Sequence, residues 1–355
     1  MSQKNISTQI PPKKFDPTTT ISSEFGIFGI PLTEEESKLV LLPVPWEVTT
    51  SYGKGASNGP RIIRQASEQI DLFDFETKNA YEVGYFMREI SEEVLAKSKR
   101  FKKLAQKVIE LRTEQSDDYE QIDKLVAEVN KASAELTDWV YQQTKEILSA
   151  GKLFGLVGGD HSTPLGAIKA ICEKNPNVGI LHIDAHSDTR KAYQGFEQSH
   201  ASIMYNVMNL KNKPAKLVQV GIRDFCEEEY NFIQSRPDIK TFFDISIKQR
   251  LLKGEAWSSV AADIINELPQ QVYISFDIDG LDPRFCPSTG TPVIGGLSVD
   301  EVFFLFNLMA QSGRQIVGFD LNEVSSGSED DSEWDGNVGA RMLYKLCNWT
   351  VVTNK

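Results

Sequence analysis

The chain has 355 residues, of which 40% are hydrophobic and 25% charged; that excludes wholesale disorder or a fibrous repeat and, at about 100 to 200 residues per domain, allows either two or three small domains or one large α/β domain. With 38 Lys+Arg against 50 Asp+Glu, the net charge of −12 lacks the basic footprint that gripping a phosphate backbone requires, so nucleic acid is not an expected partner and a neutral or cationic small molecule is. The opening MSQKNISTQIPPKKF has no apolar run, and nowhere do about 18 uncharged apolar residues follow one another, so neither a secretory signal nor a membrane association is expected and the chain reads as soluble and cytoplasmic.

In chain order, residues 1–36 are polar and rich in Ser, Thr and Pro, with scattered anchors Phe15, Phe25 and Phe28, which predicts an N-terminal arm draped on the body. The main domain is expected over 37–355. Within it, short apolar runs recur: LVLLPVPW (39–46), LFGLVGGD (153–160), VGILHIDAH (178–186), LVQVGIRD (217–224), VYISFDIDG (272–280) and IVGFDLNEV (316–324). Each has few polar interruptions, as strands covered on both faces do, and stretches between them such as PLGAIKAICEK and SVDEVFFLFNLMAQSG have helical periodicity. Strands alternating with helices predict a mainly parallel α/β sheet with right-handed crossovers. Residues from about 91 to 150 are rich in Glu, Lys and Gln and nearly devoid of Gly and Pro, which predicts one or two long helices interrupted near Gln115–Asp118, a solvated insertion or an oligomer contact.

In such a sheet the ligand crevice lies beyond the carboxyl ends of the strands, where the polar closures GGDH, DAHSD, DIDGLDP and NEVSSG are expected. The four cysteines, Cys172, Cys226, Cys286 and Cys347, form no CxxC pair and read as reduced packing residues. The four histidines, His161, His182, His186 and His200, all fall within one short stretch. At the end of an extended segment residues i, i+2 and i+4 project to one side, so Asp184, His186 and Asp188 can converge, as can Asp277 and Asp279. Four crowded carboxylates would repel and take up protons without a counter-charge. Two divalent cations would supply it, with His161 and His186 completing the shells. His182, in phase with Asp184, reads as a supporting or packing histidine.

GGDHS, DAHSD and SFDIDGLDP together resemble the signature of the ureohydrolase family of arginases and agmatinases, and the likeness runs from about Leu39 to Leu346. DTRKAYQGFEQSHASIM (188–204) resembles the loop of agmatinase-like members. PSTGTPVIGGLS (287–298) and DLNEV (320–324) are similar to two further family segments. The resemblance implies a three-layer α/β/α single domain with a central, mainly parallel sheet and one binuclear site. His161, Asp184, Asp188 and Asp277 would hold one metal and Asp184, His186, Asp277 and Asp279 the other, Asp184 and Asp277 bridging. Two ions about 3.5–4 Å apart can share a water and hold it as hydroxide for attack on a guanidinium carbon. Oxygen-rich ligation with imidazole suits Mn2+, and Ni2+ remains open.

By the same resemblance Glu323 orients the guanidinium, Asp188 carries a proton to the leaving amine, and His200 shuttles protons because imidazole titrates near neutrality. Trp46, Thr50, Arg190 and Thr291 are candidates for the substrate wall, with Thr49 and Tyr52 beside them. The expected substrate is agmatine or a similar guanidino-amine, yielding urea and an amine, with free guanidine or a guanidino acid as alternatives; Arg190 could meet a substrate carboxylate or make a structural salt bridge. The family pattern also implies a homo-oligomer, a trimer or hexamer. The chain departs from it at Asn322, usually apolar, at Ser325, usually Pro, and at Tyr205, often Arg. A non-catalytic metal-binding or interaction protein would be marked by a lost ligand, and all six positions are filled. A nucleotide-binding protein would carry GxGxxG or GK[ST], and neither is present.

Overall fold

The computed structural model describes residues 26–326 and 333–355. Most of the expected arm, with Phe15 and Phe25, and the segment from Gly327 to Asp331 and Ser332 lie outside the described residues. Among the described residues eight strands form one sheet: β1 (Leu39–Pro43), β2 (Tyr85–Met87), β3 (Leu153–Val157), β4 (Gly179–Ile183), β5 (Lys216–Ile222), β6 (Ile239–Phe243), β7 (Gln271–Asp277) and β8 (Gln315–Asn322). Their order is β2-β1-β3-β8-β7-β4-β5-β6 and every pairing is parallel. Six of them are the six apolar runs. The two edge strands have no comparable signal, since β2 has three residues and β6 buries only Ile239 fully.

The period of two along each strand divides the apolar runs between two cores. Leu39, Leu41, Val157, Leu181, Ile183, Ile274 and Phe276 belong to one, and Val40, Leu42, Phe154, Leu156, Ile180 and Tyr273 to the other. In chain order the helices are α1 (Gly59–Ser67), α2 (Glu92–Thr113), α3 (Tyr119–Ser149), α4 (Leu165–Lys174), α5 (Ile203–Met208), α6 (Glu227–Gln234), α7 (Asp244–Leu252), α8 (Trp257–Asn266), α9 (Val299–Gln311) and α10 (Glu333–Val352). The first core is covered by α1 and α7–α10, the second by α2–α6, which is the expected three-layer α/β/α arrangement. The described end of the arm is part of the body: Phe28 is buried with its ring against Tyr85 and Tyr344.

The long helices start at side-chain caps, Ser91 accepting from the Val94 N–H and Asp118 from the Gln121 N–H. Between them the chain breaks at Glu114–Asp118, with Gln115 at φ 53°. Their outer faces are charged, but Ile122, Val129, Leu136, Val140 and Ile147 form a buried stripe on α3, and Ala105, Val108 and Leu111 one on α2. The segment is therefore a layer of the core rather than a solvated appendage. The count of Glu and Lys conceals an apolar residue at nearly every second turn.

From β3 the chain crosses to β4, three places away, and only β7 and β8 later fill the gap. The carboxyl ends of β3, β8, β7 and β4 thus face one crevice, at the point where the strand order reverses. The glycines ending β3 serve close approach: a Cβ at Gly158 would lie 1.8 Å from Asn322 Oδ1, and one at Gly159 1.9 Å from the Trp46 carbonyl oxygen.

Candidate metal centre

Each of these four strands delivers part of the site. His161 follows β3, Asp184, His186 and Asp188 follow β4, Asp277 closes β7 with Asp279 in the next turn, and Glu323 follows β8. All are buried except His186, whose side chain is 24% exposed toward the crevice. The Nδ1 of His161 lies 3.0 Å from Asp184 Oδ2, 3.2 Å from Asp277 Oδ2 and 3.4 Å from Asp188 Oδ2. The Nδ1 of His186 lies 3.0 Å from Asp279 Oδ2 and 3.5 Å from Asp184 Oδ1. Two groups with metal-holding geometry result, His161, His182, Asp184 and Asp188 in one, Asp184, His186 and Asp279 in the other. Asp184 is common to both, and Asp277 adjoins the first through His161.

Convergence is not achieved by a continuous extended segment. β4 ends at Ile183, and Asp188 has φ 54°, in the left-handed region; Glu323 has φ 60°. For non-glycine residues this conformation costs about 1–3 kcal/mol and persists where surroundings hold it. Here the Met204 N–H donates to the Asp188 carbonyl at 2.9 Å, while the Glu323 N–H donates to the Gly159 carbonyl at 2.8 Å and Thr289 Oγ1 to the Glu323 carbonyl at 2.9 Å.

Hydrogen bonds behind the cluster set which atoms face it. Ser275 Oγ donates to Asp320 Oδ1 at 2.9 Å, so it accepts from His161 Nε2–H, also at 2.9 Å. In neutral His161 the Nδ1 lone pair then points at three carboxylates, an arrangement relieved only by a proton or a cation between them. This donor set fits a divalent cation. His182 is oriented the other way: Gln219 Nε2 donates to the Ser187 carbonyl at 2.8 Å and faces His182 Nδ1 at 3.1 Å, so His182 Nε2–H donates to Asp184 Oδ2 at 2.8 Å. His182 supports a carboxylate, and its ring lone pair is directed away from the cluster.

Burial, then the neighbouring Asp279 and Asp184 carboxylates, raises Asp277 well above the ordinary range, and burial with Asp184 does the same for Asp188. Asp184 is held well below its usual value because His182, His161 and His186 together outweigh its burial. Burial, with Asp277 and Asp160 next, raises Glu323, whose Oε1 accepts from the His161 N–H at 2.9 Å. Burial, followed by His186 and His161, holds His200 down to about 3.

A cavity of about 170 Å³ opens onto the cluster, lined by His161, His186, Asp188, Asp277 and Glu323 at its floor and by Ser51, Arg190, Tyr193, His200, Asp224, Phe225, Glu229 and Thr291 around its wall. Thr291 is part of that wall. Trp46 and Thr50 do not line the cavity: Trp46 is buried beside Val94, Leu136 and Trp139, and Thr50 Oγ1 donates to Glu47. After β1 the chain has no regular period, so its order alone does not say which side chains face inward. Tyr52 points to solvent and Ser51 takes the wall position. Arg190 is the structural alternative, its Nε 3.3 Å from buried Glu229 and its guanidinium over Tyr193.

The departures from pattern are accommodated locally. Asn322 Oδ1 accepts from Thr163 Oγ1 at 2.8 Å, Ser325 Oγ donates to the Lys54 carbonyl at 2.9 Å, and Tyr205 packs on Phe232. Residues that sequence reasoning missed include Ser275, Gln219, Asp224 and Glu229. Ser275 and Gln219 sit inside apolar runs, and a buried polar residue in a strand was the available signal for both.

The sequence matches the description Arginase family over residues 37–348. It is 28% identical to the N(1)-aminopropylagmatine ureohydrolase of Synechocystis sp. over 319 residues, covering 88% of this chain and 89% of that protein. With the agmatinase of Cronobacter sakazakii it shares 29% identity, covering 92% and 93%. The crystal structure of the agmatine ureohydrolase of Thermoplasma volcanium superimposes with a TM-score of 0.68 at 23% identity, covering 93% of this chain and 95% of that one.

Proposed function

We propose a specific chemistry for this chain, which belongs to the arginase family and is an agmatinase-like ureohydrolase: hydrolysis of a cationic guanidino-amine to urea and an amine at two divalent ions. The observation that carries it is the cluster of Asp184, Asp188, Asp277 and Asp279 with His161 and His186, gathered from the ends of β3, β4 and β7 and buried except at His186, beneath a cavity that also holds Glu323. Four carboxylates and two imidazoles balance two divalent cations, Mn2+ suiting the set best. Such ions, when bound, supply Lewis acidity and an acidified water.

The chain's own residues do the rest. Glu323, with Oε1 committed to the His161 N–H, retains its other oxygen for the planar guanidinium fork. Asp188, whose carboxylate lies beside His161 on the cavity floor, takes the proton released as water adds to the guanidinium carbon. It returns that proton to the alkyl nitrogen as the carbon–nitrogen bond breaks, leaving urea and an amine. His200, facing the cavity, passes a proton between this nitrogen and solvent. Around the wall, Arg190 is already paired with Glu229 while Asp224 is exposed, so the surplus charge is negative and favours an ammonium tail over a carboxylate. The names of the relatives support the same preference.

The test is urea release from agmatine, N(1)-aminopropylagmatine, guanidinobutyrate, arginine and free guanidine with Mn2+ or Ni2+ supplied, together with metal content. About two ions per chain are expected, with the guanidino-amines turned over faster than guanidinobutyrate. Background release from every compound would end the hydrolytic reading; preference for guanidinobutyrate or free guanidine would end the reading of the wall.

A further inference from the structure

The two long helices behind the cavity reach forward to both segments that wall it. The segment after β1, residues 44–58, carries Thr49 and Ser51, and its frame is one carboxylate. Glu47, with a side chain 3% exposed, accepts from the Gly55 and Ser57 N–H groups at 3.1–3.2 Å and from the hydroxyls of Thr50 and Ser57 at 3.2 Å. From α2, Lys102 closes an ion pair with Glu47, and Ser98 Oγ accepts from the Glu47 N–H at 2.9 Å. From α3, Asn130 accepts from the Glu197 N–H at 3.0 Å and donates to the Gly195 carbonyl at 3.1 Å, gripping the stretch before His200. The two walls meet where Thr49 Oγ1 lies 3.1 Å from His200 Nδ1 and accepts from the His200 N–H at 3.3 Å.

We propose that Lys102, acting through Glu47, is a positioning residue of the active site, and that α2 and α3 form the frame that holds the two cavity walls in register. The part of this that concerns catalysis rests on the reading that His200 and Ser51 face the substrate. An exposed ion pair would contribute little. This one is different because the carboxylate is buried and its hydrogen bonds are made to the backbone of a turn. Without Lys102, Glu47 keeps those bonds but loses its counter-charge, and the segment relieves the cost by opening to water. Thr49 then leaves His200, and Ser51 leaves the wall. The sheet and the carboxylate cluster stand on other contacts and remain.

Lys102→Met and Lys102→Arg, compared with the parent chain, separate positioning from general support. In Lys102→Met, amide exchange over residues 50–57 should rise at least about tenfold while exchange in β3 and β7 and the metal content stay at parent values. KM for the guanidino substrate should rise about tenfold with kcat changed much less, and Lys102→Arg should restore most of both effects. Unchanged exchange over 50–57, or a rise spread evenly through the sheet, overturns the proposal, as does a loss of kcat at constant KM. The exchange measurement needs no turnover. If the parent chain releases no urea, faster exchange confined to 50–57 still upholds the frame while the hydrolytic reading falls separately.

Discussion

At Asp277 a single side chain carries two duties, facing His161 Nδ1 and accepting from the Asp279 N–H at 2.9 Å with its other oxygen. Asp277→Asn keeps the volume and removes one charge, so the fold should survive while metal content drops by half or more and urea release by about a hundredfold or more; elemental analysis and a urea assay check it, and full retention of both would remove Asp277 from the centre. Glu323→Gln isolates orientation from metal binding. Because its Oε1 bond to the His161 N–H can be kept by the amide oxygen, metal content should persist, while kcat/KM falls on the order of a hundredfold as the charge-assisted fork is lost. A Glu323→Gln protein with parent kcat/KM would assign the guanidinium to another carboxylate. The six metal-ligand candidates were legible from residue type in motifs at strand ends, although a left-handed turn at Asp188, and not the extended spacing expected, brings that residue in. Trp46 and Thr50 were not, since an irregular segment has no period from which direction can be read.

Among the secondary-structure elements, legibility follows the length and purity of the apolar signal. The six central strands announce themselves, and α4 and α9 follow the expected stretches; β2 and β6 lie at edges where little is buried. The charged stretch at 91–150 gave its helices and its interruption but concealed its inward stripe and, with it, Lys102. The join between elements is tighter than composition suggests, as the glycines after β3 indicate. Gly159→Ala should lower stability by about 2–3 kcal/mol, because its Cβ meets the backbone carbonyl of Trp46, which cannot swing aside as a side-chain tip could. Urea unfolding midpoints measure this, and a cost near zero would mean that the segment after β1 shifts freely against β3.

For the molecule as a whole, the sign of its buried charge governs how stability depends on metal and pH. Length alone allowed several domains, but one sheet brings His161 and Glu323 together, and part of the −12 is a buried cluster rather than surface. With chelator present, burial acts to lower His186, but Asp279 and Asp184 outweigh it and hold the imidazole up at about 12; His161 is raised in the same way by Asp184 and Asp277. A raised imidazole contributes its full stability below its unfolded value of about 6.5 and loses it as pH climbs toward the folded value. Raised Asp188 and Asp277 act with the same sign, since their folded forms retain protons that the unfolded chain has released. Lowered Asp184, His182 and His200 change little above pH 7, being in the same protonation state folded and unfolded. Between about pH 7 and 9 the chelated protein should therefore lose stability at about 1.4 kcal/mol per pH unit for each proton retained. Divalent ions replace those protons, so the metal-loaded protein should be nearly flat over the same interval and the gap in Tm should widen with pH. Thermal melts at three pH values with chelator and with Mn2+ decide it. A chelated protein that grows more stable from pH 7 to 9 would mean that the imidazoles hold no protons among the carboxylates, and the balance of charge proposed for two cations would fail with it.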